Sequence, residues 1–149
     1  MSRLRRALGG LVVAGSSLAL SACGSVSAST ALSTWAANSN LSSNSAQLVL
    51  DARHALSALG DTRSTAAELH TVCAVLDLET LQANAALPAP DAQTTSLLSA
   101  AYTDLGDGAN VCYRAAHSSS KRRRAIDYLR RAGAELAEAQ ARVSALRAG

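Results

Sequence analysis

Aromatic residues are almost missing from this chain. They make up 3% of its 149 residues, with no Phe, three Tyr and a single Trp, Trp35. A core without large rings has to be built from Leu, Val and Ala, which makes it thin, and a small thin core calls for a staple. The usual carriers of chemistry are missing as well. No Gly-x-Ser-x-Gly elbow presents a nucleophile, and no glycine-rich loop cradles a phosphate. Alternation of apolar and polar residues, the mark of a half-buried strand, occurs nowhere. These absences argue against an enzyme and against a sheet.

Long apolar runs are also lacking. The apolar stretch near the start, "ALGGLVVAGSSLAL" (residues 7–20), carries no charge and follows Arg3, Arg5 and Arg6. A membrane span needs roughly 20 apolar residues, and this stretch is shorter and broken by Gly9, Gly10, Gly15, Ser16 and Ser17. A basic start, a short apolar region and small residues after it are the pattern of a removable export signal.

That stretch ends in Leu20-Ser21-Ala22-Cys23. An aliphatic residue, two small residues and a cysteine resemble the lipobox of bacterial lipoproteins. The Ala-rich chain behind it looks like the small helical lipoproteins of actinobacteria, and no named domain family suggests itself. The resemblance implies cleavage between Ala22 and Cys23, and a diacylglyceryl group on the Cys23 thiol. Each buried CH₂ contributes about 0.8 kcal/mol, and two acyl chains hold where one is marginal. The expected location is the extracytoplasmic side of the cell membrane. Gly24 follows the cysteine, so the Asp that retains some Gram-negative lipoproteins at the inner membrane is absent.

Processing at this point changes the charge. The full chain has 14 basic and 11 acidic side chains. Without Arg3, Arg5 and Arg6 the count is 11 against 11, so the apparent basicity is no argument for nucleic acid. The remaining charge is unevenly placed. Residues 23–117 hold three basic and eight acidic residues, and residues 118–149 hold eight and three.

The mature 127 residues suit one domain. Residues 23–44 are rich in Ser and Asn, which compete with helix through local hydrogen bonds, and read as the lipidated Cys followed by a tether. A short piece around Trp35 is expected to dock on the domain. Leu32, Trp35, Ser39, Ser42, Ala46, Val49, Arg53 and Leu56 also keep 3–4 spacing, so one long helix is the other reading. The domain itself, residues 45–149, is expected to be an all-α antiparallel bundle of three to four helices. The first covers about 45–59, with Ala46, Val49, Leu50, Leu56 and Leu59 inward and Gly60 as its stop. The second opens at a Thr65/Glu68 capping box and buries Leu69, Val72, Cys73 and Leu76 to about Leu87. Asp91 caps the third after "PAPD" (residues 88–91), with Leu98, Ala101, Leu105 and Cys112 inward and a weak point at "DLGDG" (104–108). The fourth, about 121–147, has the clearest pattern: Ala125, Leu129, Ala132, Leu136, Ala139, Val143 and Leu146 alternate steps of four and three. Arg123–Asp127, Arg131–Glu135 and Glu138–Arg142 are spaced as i,i+4 ion pairs on its flanks.

With Cys23 assigned to lipid, Cys73 and Cys112 are an even pair in an exported domain, which reads as a disulfide. Level, straight helices would leave the two cysteines at heights differing by roughly 10 Å, so stagger, tilt or a break near Gly106–Gly108 has to absorb that. The rival reading is a zinc site. His70-x-x-Cys73 and Cys112-x-x-x-x-His117 supply two thiols and two imidazoles, but an oxidising compartment disfavours free thiols. Asp51-x-x-His54 is half of a di-iron motif whose second half is absent, and it reads as a solvated pair. No cofactor or metal is expected. Lys121-Arg122-Arg123-Arg124 stands at a helix start, where positive charge opposes the macrodipole. Such a run is drawn to anionic headgroups by about 1 kcal/mol per residue, or to an acidic envelope polymer or protein. The expected protein is a membrane-anchored envelope lipoprotein that binds or scaffolds, contacting an anionic surface through Lys121 to Arg124. The alternative is a ligand-binding or metal-binding bundle.

Overall fold

The structure is a computed structural model that describes residues 27–148. Among these residues there are five α-helices and no strand: α1 (Ala28–Asn38), α2 (Leu41–Gly60), α3 (Ala66–Asn84), α4 (Ala92–Tyr113) and α5 (Ser119–Ala148). Helices α2 to α5 pack as an antiparallel bundle in which each lies beside its chain neighbours and α5 closes against α2. Among the helices, the smaller α1 packs on α2 and α5. The signal and lipobox residues, 1–23, lie outside the described residues.

The Ser/Asn-rich stretch is where the expectation needs correcting. Residues 28–38 and 41–44 are helical rather than a tether, although the docking of Trp35 holds. Ser27 caps α1 by accepting from the Thr30 amide at 3.2 Å. Leu32 and Ala36 are buried, and Trp35 Nε1 donates to the Ala86 carbonyl at 3.0 Å. Burial of one face and a filled indole bond outweigh the modest helix cost of Ser and Asn. Nor is there one long helix. Asn40 sits at φ 49°, ψ 36° and turns the chain between α1 and α2; Asn is among the few residues that tolerate this region.

That turn resets the phase of α2. Its buried positions are Leu41, Ser45, Leu48, Asp51, Ala52, Ala55 and Leu59. Of the expected inward residues only Leu59 is fully buried; Val49 and Leu56 are partly covered, Ala46 is exposed and Leu50 is 47% exposed. Two polar residues occupy inward places, and hydrophobicity alone pointed to the wrong stripe. Helix α3 follows its expected face, with Leu69, Cys73 and Leu76 buried behind a complete Thr65/Glu68 capping box. Its outer face is also apolar, with Val75, Leu78 and Leu81 exposed. Asp91 caps α4, accepting from the Thr94 amide at 2.7 Å.

Helix α4 runs unbroken through Gly106 and Gly108, so the expected weak point is absent. Gly108 instead lets α5 come close. A Cβ there would meet Leu129 Cδ2 at 2.7 Å. The α5 pattern is observed as read: Ala125, Leu129, Ala132, Leu136, Ala139 and Val143 are buried, with Leu146 partly so. The core is eight fully buried leucines filled in by alanine. None of the three predicted i,i+4 ion pairs on α5 forms among the described residues, and two of their arginines bridge between helices instead. Arg131 grips Asp104 on α4 at 2.8 and 3.1 Å, and Arg142 grips Asp91 at 2.6 and 2.8 Å. Two-pronged pairing across a helix interface holds a guanidinium better than a flexible neighbour on the same exposed face.

Candidate functional site: the basic end of the bundle

Cys73 and Cys112 form a disulfide between α3 and α4, Cα to Cα 5.9 Å. The height mismatch is absorbed by stagger. Cys73 lies 11 residues before the end of α3, and Cys112 lies 20 after the start of α4, a difference of about 13 Å along the axes. The loop of residues 85–91 carries the chain past the end of α3 before α4 turns back. The thiols are therefore spent, and the zinc ligand set is not assembled. His70 stacks flat on Tyr113, ring centres 4.1 Å apart, one turn from the disulfide. Asp51 and His54 do not act together either. Asp51 is buried, 7% exposed, rather than solvated. It accepts from Gln47 Nε2 at 3.0 Å, while His54 points to solvent.

The run from Lys121 to Arg124 opens the first turns of α5. Ser118 caps that helix, its Oγ accepting from the Lys121 amide at 3.3 Å. The four side chains do different things. Arg122 turns inward. Its Nη1 donates to the carbonyls of Ala58, Leu59 and Asp61 at 3.3, 3.1 and 2.8 Å. Its Nη2 donates to Ser64 and Ala116 carbonyls, both at 3.4 Å. The last carbonyls of a helix have no partners within it, and here a guanidinium from α5 covers those of α2. Gly60 ends the helix as expected, yet no glycine in the described residues adopts positive φ, so the arginine takes the place of a glycine cap.

Arg124 donates to the Tyr128 hydroxyl at 3.1 Å and lies 5.5 Å from the ring centre, with Arg131 at 4.8 Å. The Tyr128 contact raises the Arg124 pKa further above its already high value. On the same flank burial, with Asp104 adding to it, pushes the Glu135 carboxyl up. Lys121 and Arg123 are exposed.

Lys121 has unexpected company. It borders a hollow of about 470 Å³ lined also by His70, Tyr113, Arg114, His117 and Ser118. A second, smaller hollow beside it is lined by Val111, Arg114, Lys121 and Arg124. No carboxylate lines either one. Helix α3, the end of α4, the 114–118 loop and the start of α5 thus bring five basic or imidazole side chains to one end of the bundle. Sequence reading found Lys121 and Arg124 in the run and considered His70 and His117 only as zinc ligands. Arg114 carried no visible signal. A separate open groove between α2 and α5, about 790 Å³, is bordered by Val49, Leu50, Arg53, Val143 and Arg147.

No protein-family model, curated protein or solved structure matches this chain.

Proposed function

We propose that this chain is a lipid-anchored envelope protein on the extracytoplasmic side of the membrane, and that it binds or scaffolds rather than catalyses. The observation that carries the reading is Leu20-Ser21-Ala22-Cys23 behind a short uncharged stretch and three arginines. A disulfide in a thin helical domain is in keeping with an exported protein. The basic end supplies a contact surface for an anionic partner, carried by Lys121, Arg123 and Arg124, while Arg122 is committed to the α2 carbonyls.

Feeding cells a labelled fatty acid tests the anchor. The chain should take up label, and Cys23→Ala should abolish uptake and leave a larger precursor. Equal labelling of the two rejects the lipoprotein reading. The alternative of a ligand-binding bundle draws on the open α2–α5 groove. Native mass spectrometry of the purified chain would favour it by showing a co-purifying small molecule that a Leu50→Glu variant loses.

A further inference from the structure

The hollow at the basic end has a specific composition. His70 comes from α3, Arg114 from the end of α4, His117 from the connecting loop and Lys121 from the first turn of α5. Residues 70 and 114–121 converge there because α4 runs antiparallel to α3 and brings the chain back to the end where α3 began, and α5 starts at that same end. The nearest carboxylate in sequence, Glu68, is engaged elsewhere: its Oε2 accepts from the Thr65 amide and hydroxyl at 2.7 and 3.0 Å. Asp107, two turns before Arg114 on α4, acts on Arg124 at the smaller hollow and lines neither hollow, while Asp104, a further turn along, is held by Arg131. The cations around the hollow therefore have no protein anion among the lining residues. Clustered cations repel one another, and the cost is offset when an anion joins them. The lining offers fixed donors beside the point charge of Lys121: the guanidinium of Arg114, ring N–H groups and the Ser118 hydroxyl, which suit the several oxygens of a phosphoryl group.

We propose that this hollow binds a phosphate-class anion, a phosphomonoester or phosphodiester group, through Arg114, Lys121, His70 and His117. Tyr113 holds the His70 ring flat at the rim by stacking. The proposal deepens the reading that the basic end meets an anionic partner, and it does not depend on the lipid at Cys23. The phosphate can come from a lipid headgroup or from a free or polymeric phosphate.

The full chain in neutral detergent micelles serves for the test, with inorganic phosphate as one probe and phosphatidylglycerol mixed into the micelles as the other. The chain has three histidines, so the ring signals can be followed one by one by NMR. His70 and His117 should shift and saturate with at least one probe, while His54, which borders neither hollow, stays in place. A response to inorganic phosphate identifies a free or polymeric source, and a response to phosphatidylglycerol alone identifies a headgroup. Arg114→Gln with Lys121→Gln should weaken binding by about tenfold or more, the loss expected when charge-assisted hydrogen bonds are removed. Arg63→Gln with Arg130→Gln removes the same charge from exposed positions outside both hollows and should leave binding within about twofold, as long-range screened charge implies. Equal weakening by the two pairs, or no response to either probe, overturns the site. Fatty-acid labelling of Cys23 is read independently, so the two readings fail separately.

Discussion

Adding one methyl group to α4 should have opposite effects two residues apart. Gly106 and Gly108 both lie inside the helix, where glycine costs about 1 kcal/mol relative to alanine. At Gly106 a Cβ would meet nothing within 4 Å, so Gly106→Ala should stabilise by about 0.5–1 kcal/mol. At Gly108 the same Cβ would lie 2.7 Å from Leu129 Cδ2, 3.1 Å from its Cγ and 3.3 Å from Tyr128 Cβ. Carbon atoms rest about 3.5–4.0 Å apart, and Leu129 is 1% exposed, so it has little room to retreat. Overpacking of this kind costs about 1–3 kcal/mol. Set against the helix gain, Gly108→Ala should be destabilising by about 0–2 kcal/mol and should stand about 1–3 kcal/mol below Gly106→Ala. Urea unfolding followed by circular dichroism measures both. The decisive reading is a double-mutant cycle with Leu129→Ala. That change alone should cost about 2–5 kcal/mol, and combined with Gly108→Ala it should cost less than the sum, because the new methyl fills the space the leucine leaves. If Gly108→Ala stabilises as much as Gly106→Ala, or the cycle is additive, α4 and α5 do not approach one another as described.

Reduction of Cys73–Cys112 should lower stability by about 4 kcal/mol on the chain-entropy model for the 39-residue separation; intact mass before and after alkylation, with and without reductant, verifies the bridge. Arg142, then Thr94, holds the Asp91 carboxyl well below the ordinary carboxylate range. A pKa lower in the folded chain means stability that is present above the unfolded value near pH 4 and is lost as pH falls through the folded one. Asp91→Asn keeps a capping side chain and should flatten that acid limb in unfolding curves recorded between pH 5 and 2. Arg122→Gln should destabilise by more than Arg123→Gln in the same thermal melt, since only Arg122 is bonded to carbonyls of α2 and its following loop; equal melting points would place Arg122 in solvent.

The parts of the fold legible in the sequence are those with a long period or a local code. Helix α5 keeps its apolar steps through three heptads, and its buried face is the predicted one. The Thr65/Glu68 box and the Asp91 cap are read from four residues each, and both form. Helix α2 was misread because its inward stripe includes Ser45 and Asp51 while Leu50 faces out. Periodicity weighs hydrophobicity, and here tertiary packing overrode it. Helix α1 was hidden by composition. Its Ser and Asn residues lower helix propensity only slightly, whereas the 3–4 spacing from Leu32 and Trp35 does mark a helix, and the docked face it gains is set by tertiary packing. The basic hollow was illegible for a different reason. Only the chain's return along α4 to the end where α3 began joins His70 to Lys121, and Arg114 looks like an isolated surface charge until it does.

The correction to α1 also changes what the basic end can reach. A tether from 23 to 44 would let the domain swing, and its cations could fold back onto the membrane holding Cys23. With α1 starting at Ala28, five residue steps separate it from Cys23, at most about 17 Å of chain. Helix α1 is pinned by Trp35 to Ala86 in the 85–91 loop, and Ala36 and Ala37 border the groove formed with Val143 and Arg147 near the end of α5. These residues lie at the opposite end of the bundle from Lys121. Along α5 the distance from Lys121 to Arg147 is about 39 Å. On the proposed lipid anchor, an upright bundle turns its basic end away from the membrane, toward an anionic partner out in the envelope. Contact with headgroups of the same membrane requires the bundle to lie on its side. The two phosphate probes separate these arrangements. Inorganic phosphate binding that depends on Lys121 and Arg114 fits the upright form, and a response to phosphatidylglycerol alone fits the reclining one.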